Sequence, residues 1–129
     1  MKLLALDPGG TTGFAKFIEN YLVIQGEFQT WEGLAPLISD SDLVVFEEVR
    51  ISHPSFNPVG IEVIGVIKFL CEKCDIRWVK QSSSMIVGCE KWPIYDFSSI
   101  SSQHVIDAIC HGITYLGREK AIIPQVFLK

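Results

Sequence analysis

The chain has 129 residues, of which 48% are hydrophobic and 20% charged, with a formal net charge of −4. This length fits one domain, and the composition is typical of a globular protein rather than a disordered one, so we expect a single domain over residues 1–129. The longest apolar stretch, from Val59 to Cys74, is interrupted by charged residues and is too short to span a membrane. Asp7 ends the N-terminal apolar run before it is long enough for a secretory signal, which predicts a cytoplasmic protein.

The acidic balance of the chain bears on its partners. A pI near 5.3 argues against a protein that binds nucleic acid by bulk attraction, because phosphate binding depends mainly on Lys and Arg. Carboxylates gathered in a metal site would be neutralised by the cations they hold, which makes the working charge less negative. The net charge therefore disfavours nucleic-acid binding without excluding it.

The four cysteines allow two interpretations. Without an export signal they are expected to be reduced thiols rather than a disulfide framework. Cys71 and Cys74 could form half of a zinc site, completed by Cys89 and either Cys110 or His111. There is no second Cys-x-x-Cys pair, and the first lies within an expected apolar helix, so we favour small buried thiols.

The first third of the chain predicts three antiparallel strands. An apolar run over residues 2–6 ends at Asp7, and Pro8-Gly9-Gly10 follows as a turn. A second strand begins near Phe14 and a third covers residues 21–28, with Asn20 where the chain reverses.

The remaining pattern alternates helices and strands. Apolar spacing predicts a helix of about two turns over Trp31–Ile38, and Leu43–Phe46 is a continuous apolar run typical of a strand buried on both faces. Asn57 and Pro58 predict the N-cap and first residue of a long helix. Ile76–Val79 is expected as a parallel strand, followed by a last helix from Ser101-Ser102 to Gly117. This order predicts a mixed-sheet α/β domain.

The long helix that begins near Pro58 has a wide apolar surface. Residues 59, 63, 66 and 70 can cover one face of a sheet, whereas Ile61, Ile64 and Phe69 point elsewhere. Self-association about a two-fold axis is a common way to bury such a strip, so we expect a homodimer built through this helix, unless the last helix or residues 122–128 cover it.

Four residues have the chemistry of a metal site. Asp7 and Glu47 each directly follow an apolar strand, and His104 and Asp107 lie one turn apart on the last helix. Mg²⁺ prefers hard oxygen ligands, and a pair of such ions can promote cleavage of a phosphodiester. The combination predicts a site assembled from separate elements, whereas each residue alone would be ordinary.

These residues stand in motifs that resemble those of the RuvC Holliday junction resolvases, members of the ribonuclease H-like superfamily. The segment LALDPGGTTGFA at residues 4–15 resembles the family's first strand and turn, and VVFEEV at residues 44–49 is similar to its second acidic motif, in which Glu47 rather than Glu48 takes the ligand position. The segment HVIDA at residues 104–108 resembles the family's C-terminal helix motif. The resemblance covers nearly the whole chain.

The resemblance implies a fold, an activity and a set of partners. The fold is a ribonuclease H-like mixed five-stranded sheet, with three antiparallel strands and then parallel strands, flanked by helices. The activity is cleavage of branched DNA in recombination and repair by a homodimeric Mg²⁺-dependent endonuclease, with two ions per site and Mn²⁺ as an alternative. The implied catalytic and metal-binding residues are Asp7, Glu47, His104 and Asp107; the expected nucleic-acid contacts are Lys80, Arg50, Thr11, Thr12 and Phe56.

The chain also departs from the family pattern. Only 15 residues separate Gly88 from His104, where the family has a further helix and loop, so this is a shortened form. Arg50 stands where resolvases often present an aromatic residue to a junction base. Aromatic side chains in the loops could stack on unpaired bases or cap the core, and we favour the second. The sequence leaves open whether the substrate is a four-way junction, other branched DNA or an RNA–DNA hybrid.

Two other function classes remain. Actin-like ATPases and sugar kinases use a similar glycine-rich hairpin to hold nucleotide phosphates, but they need two copies of the domain, for which 129 residues leave no room. A catalytically inactive interaction module could keep the same fold. The retained set of four ligand-type residues argues against that alternative, because uncompensated carboxylates repel one another.

Overall fold

A computed structural model describes residues 1–49, 58–92 and 95–119. The described residues contain one five-stranded sheet in the order β3-β2-β1-β4-β5. Strands β1 to β3 pair antiparallel, and β4 and β5 are parallel to β1. This confirms the predicted mixed sheet. The strands are β1 (Lys2–Asp7), β2 (Thr11–Ile18), β3 (Tyr21–Gln29), β4 (Leu43–Glu47) and β5 (Arg77–Gln81).

Three α-helices flank the sheet within the described ranges. They are α1 (Leu34–Ser39), α2 (Pro58–Lys73) and α3 (Gln103–Glu119), and 3₁₀ turns cover Ser83–Ile86, Cys89–Lys91 and Phe97–Ser99. In the part of the chain that the structure describes, no helix is both long and apolar enough to cross a membrane.

Several element boundaries differ from those predicted. Residues 31–33 form a turn, so α1 begins at Leu34, and β5 starts at Arg77 and extends to Gln81. Helix α3 continues past Gly117 to Glu119, because a glycine costs an established helix only about 1 kcal/mol and the neighbouring Leu116 is fully buried. The predicted N-cap Asn57 lies outside the described residues.

Strand alternation divides the core into two layers. One face of β1 and β4 presents Leu3, Ala5, Leu43 and Val45 to helix α3. The opposite face presents their sequence neighbours to helices α1 and α2. Because both of their faces are covered, β1 and β4 are apolar except at their ends, where the charged residues Lys2, Asp7 and Glu47 stand.

Helix α3 lies unusually close to strand β2 at two glycines. A Cβ atom at Gly13 would lie 2.0 Å from the backbone oxygen of His104, and one at Gly112 would lie 2.1 Å from the ring of the buried Phe17. Neither distance leaves room for a side chain. The two glycines therefore set the height at which α3 rests on the sheet.

Aromatic side chains in the segment before α3 pack against the core. Trp92, Tyr95 and Phe97 are half-buried and pack against the α3 side of the core, with the Tyr95 and Phe97 rings 5.0 Å apart in an edge-to-face contact. These aromatic side chains therefore pack onto the core, the alternative favoured from the sequence over base stacking.

The glycine contacts give a test of the packing. Gly112→Ala is expected to lower the free energy of unfolding by about 1–3 kcal/mol, because the added methyl group meets the buried ring of Phe17. Gly117→Ala on the same helix meets nothing within 4 Å and is expected to raise it by about 0.5–1 kcal/mol through helix propensity. Urea denaturation of both variants measures the difference, and equal effects of the two substitutions would contradict the close α3–β2 contact.

Candidate metal centre

Two carboxylates meet at the ends of adjacent parallel strands. Asp7 ends β1 and Glu47 ends β4, and Leu6 pairs with Phe46 in the register between the strands. Asp7 continues the alternation of Leu3 and Ala5, so its side chain lies on the α3 side of the sheet. By the same alternation Glu47 follows Val45 on that face, whereas Glu48 is exposed and lines a cavity near α2. This agrees with the choice of Glu47 over Glu48 from the sequence.

Helix α3 adds the third carboxylate. His104, Asp107 and His111 follow a spacing of three and four residues and therefore share one helix face. A carboxylate oxygen from each of Asp7, Glu47 and Asp107 lies within 4.8 Å of the others, and no other such group of metal-ligand side chains is found among the described residues. Clustered oxygen donors of this kind fit a hard divalent cation such as Mg²⁺.

His104 is adjacent to this cluster but differs from its members. Its Nδ1 lies 3.1 Å from Oδ2 of Asp7, and its side chain is 51% exposed while that of Asp7 is 10% exposed. The structure thus brings all four predicted residues to one place. Asp7, Glu47 and Asp107 converge as oxygen ligands, and the partly exposed His104 contacts the buried Asp7.

The cluster is electrostatically unfavourable without a cation. Burial raises the pKa of Asp7 to about 8, and the negative charges of Glu47 and Asp107 and a hydrogen bond with Glu47 add to the effect. Burial also raises the pKa of Asp107, although a hydrogen bond from Gln103 acts in the opposite direction. Perturbed carboxyl groups that gather at one point are typical of functional sites.

Polar side chains around the cluster contact two of the carboxylates directly. Gln103 donates a hydrogen bond to Asp107 at 2.8 Å, and Nε2 of His111 lies 3.0 Å from Oε1 of Glu47. His111 is completely buried and also contacts Gln81 at the end of β5. Sequence reasoning placed His111 on the same face as His104 and Asp107 but assigned no role in the site to it or to Gln81.

The predicted nucleic-acid contacts that the structure describes lie on different elements of the fold. Lys80 is exposed on β5 and lines an open cavity of about 270 Å³ together with Phe46, Ile61 and Lys68, on the α2 side of the sheet. Thr11 is half-buried at the start of β2. Thr12 is fully buried, and its hydroxyl donates to the backbone oxygen of Thr30 at 2.7 Å. Arg50 and Phe56 lie outside the described residues.

The cysteines do not form the alternative zinc site. All four are free thiols; Cys71, Cys89 and Cys110 are buried and Cys74 is exposed. Burial raises the pKa of Cys71 to about 11, which disfavours the thiolate that zinc requires. No cysteine belongs to a cluster of metal-ligand side chains in the described parts of the chain.

Comparison with known proteins identifies the architecture. No protein-family profile matches the chain, and no curated sequence matches it significantly. Among solved structures, RuvC of Thermus thermophilus superposes with a TM-score of 0.72 at 10% sequence identity, over 94% of this chain and 96% of that one. The same protein in complex with a Holliday junction substrate gives a TM-score of 0.70 at 9% identity, with the same coverage. The chain therefore has the fold of RuvC, which is the ribonuclease H-like fold.

Proposed function

We propose that this protein is a metal-dependent endonuclease that cleaves branched DNA, in the manner of a Holliday junction resolvase. The observation that carries the proposal is the convergence of Asp7, Glu47 and Asp107 within 4.8 Å at the end of a RuvC-like sheet. The solved complex of T. thermophilus RuvC with a Holliday junction supports branched DNA as the substrate class.

In this proposal the three carboxylates hold two Mg²⁺ or Mn²⁺ ions, and His104 is the fourth ligand. When bound, divalent cations of this kind activate a water molecule and stabilise the leaving oxygen of a phosphodiester. Asp7 would be the most buried of these ligands, and its contact with His104 would help to orient its carboxylate. Imidazole is a softer ligand than carboxylate, so His104 would favour Mn²⁺ more than an aspartate at the same position would.

The burial of Asp7 argues against the inactive interaction module. A carboxylate with a pKa near 8 beside two others lowers stability at neutral pH, and nothing in a purely structural role compensates for that cost. A bound cation would compensate for it. The arrangement is therefore better explained by a site that holds metal.

The proposal includes contacts with DNA and a dimer. We propose that Lys80 and Thr11, which the structure describes, contact phosphates. Arg50 is proposed as a further phosphate contact, and Phe56 as an aromatic side chain that stacks on a base. On helix α2, Ile61 is 41% and Phe69 63% exposed, as expected for an apolar strip that a second copy would cover. A homodimer would place two metal sites on one junction.

The first prediction compares two neighbouring carboxylates. Glu47→Gln is expected to reduce cleavage of a four-way DNA junction in Mg²⁺ by at least about 100-fold, because it removes one charge from the ligand set. Glu48→Gln makes the same chemical change one residue later, outside the cluster, and is expected to retain activity within about threefold. A gel assay with junction, duplex and hybrid substrates measures the cleavage rates of both variants. Full activity of Glu47→Gln would contradict the proposed nuclease function.

The second prediction concerns stability, pH and metal. Without divalent cations the folded protein binds a proton at Asp7 that the unfolded chain releases between the ordinary pKa of 3.8 and about 8, so stability should fall as pH rises through this range. Asp7→Asn removes this effect and is expected to raise the free energy of unfolding at pH 8 in EDTA, by an amount with an upper bound on the order of 5 kcal/mol. At pH 4 the two proteins should be nearly equal.

Added Mg²⁺ should make the wild type more stable to unfolding than Asp7→Asn at pH 8, because only the wild type keeps the full ligand set. Urea unfolding at both pH values, with EDTA or Mg²⁺, measures these differences. Asp75→Asn, an exposed position, serves as the control and should change little. If Mg²⁺ stabilised wild type and Asp7→Asn equally, Asp7 would not be a ligand.

The third prediction concerns the dimer. Sedimentation at micromolar concentration is expected to give a species of twice the 14.4 kDa chain mass, and Phe69→Glu should convert it to monomer by placing a charge in the apolar strip. Val87 is 77% exposed outside α2, so Val87→Glu is a matched control that should leave the dimer intact. A monomeric wild type would remove the basis for paired cutting.

A further inference from the structure

The end of β5 and helix α3 share a buried polar contact next to the proposed metal ligands. His111 lies one turn after Asp107 on α3 and is 0% exposed. Its Nε2 is 3.0 Å from Oε1 of Glu47, and its Nδ1 is 3.0 Å from Nε2 of Gln81. Gln81 is also buried and pairs with Glu47 in the register between β4 and β5. The imidazole ring of His111 thus links Gln81 on β5 to Glu47 at the end of β4.

The hydrogen bonds between Gln81 and His111 determine the tautomer of the His111 ring. The side-chain amide nitrogen of Gln81 also donates to the backbone oxygen of His111 at 3.1 Å. A reversed amide would place its oxygen against that carbonyl oxygen, so the nitrogen must face His111. Because this nitrogen donates to Nδ1 as well, Nδ1 is the acceptor and the proton of a neutral ring lies on Nε2. His111 therefore donates a hydrogen bond to Glu47.

We infer that His111 and Gln81 are positioning residues, which hold the Glu47 carboxylate in the orientation needed for divalent-cation binding. This inference rests on the proposed function and deepens it. His111 is not in the group of converging ligand atoms, which contains Asp7, Glu47 and Asp107. It orients a ligand, and Gln81 orients His111.

The need for such a device follows from the position of Glu47. Glu47 is the last residue of β4, and its side chain is 23% exposed. Without the N–H of His111 this side chain could rotate toward water, away from the negative charges of Asp7 and Asp107. The N–H of His111 restrains Oε1 of Glu47, and the same carboxylate contributes an oxygen to the cluster of ligand atoms. Partners of this kind typically change metal affinity by about 10- to 100-fold when they are removed.

A binding experiment separates positioning from a merely structural role. Mn²⁺ is the probe, since its free form can be counted by EPR during a titration of the full chain. His111→Leu is expected to weaken Mn²⁺ binding by about 10-fold or more. His111→Gln, which can place an N–H near the position of Nε2, should restore affinity to within about threefold of wild type. Thr114→Val changes another buried polar side chain on the same helix, one whose hydroxyl has no hydrogen-bond partner among the described residues, and should leave the affinity unchanged.

The outcomes distinguish this inference from the proposed function. If wild type binds no Mn²⁺, both the metal site and the inference are overturned. If folded His111→Leu binds Mn²⁺ as tightly as wild type, the inference alone is overturned and the metal site stands.

A second measurement needs no folded variant at position 111. The ¹⁵N shifts of the histidine rings in wild type report which nitrogen carries the proton, and His111 is expected to be protonated at Nε2 with Nδ1 as acceptor. In Gln81→Met, which lacks the amide donor, this preference should weaken. A wild-type ring protonated only at Nδ1 would overturn the inference, because its Nε2 could not donate to Glu47.

Discussion

The crowding of three carboxylates at one end of the sheet is the constraint on which the rest of the site depends. Asp7, Glu47 and Asp107 repel one another, and burial makes the charge on Asp7 costly. Each of them has a neighbouring polar side chain on helix α3. His104 contacts Asp7, Gln103 donates to Asp107, and His111 contacts Glu47. One helix therefore both completes the cluster and restrains every member of it.

This arrangement works only if α3 keeps a fixed distance from the sheet. Gly13 lets the backbone of β2 lie against the first turn of α3, and Gly112 lets the middle of the helix lie against Phe17. The Ser102 hydroxyl, just before the helix, donates to Glu27 on β3. The chain is thus held to β2 and β3 near the same end of the helix that carries His104 and Asp107. Packing contacts of residues that are not ligands themselves therefore help to set the separation of Asp107 from the two carboxylates on the sheet.

Local patterns were sufficient to predict the sheet and the four candidate ligands. Apolar runs that stop at Asp7 and Glu47 indicate where buried strands end, and a spacing of three marks His104 and Asp107 as neighbours on a helix. The mixed topology could be predicted because the lengths of the connections permit few alternatives, and the observed strand order confirms it. These features depend on periodicity and on charge at strand ends, both of which are visible in a single sequence.

Other features depend on contacts between distant segments and could not be predicted in that way. A histidine four residues after Asp107 has the same pattern whether it faces solvent or a buried glutamine, and only the pairing of β5 with β4 brings Gln81 to His111. The resemblance implied that Thr12 contacts nucleic acid, and only the pairing of β2 with β3 shows that its buried hydroxyl donates to the backbone of Thr30. Gly117 stands at a plausible helix end, but buried neighbours extend the helix beyond it.

The alternation at the end of β5 has a further consequence for the shape of any bound nucleic acid. Gln81 points toward the carboxylates on the α3 face, whereas the preceding Lys80 lines the cavity on the α2 face. A DNA strand that contacted both the proposed metal site and Lys80 would have to bend around the ends of β4 and β5, which form the rim of the sheet. Double-stranded DNA has a persistence length of about 150 base pairs, so bending a duplex sharply around these strand ends would cost free energy that a branch point, where the duplex is already interrupted, would avoid. The rim of the sheet would then select for substrate geometry independently of base sequence.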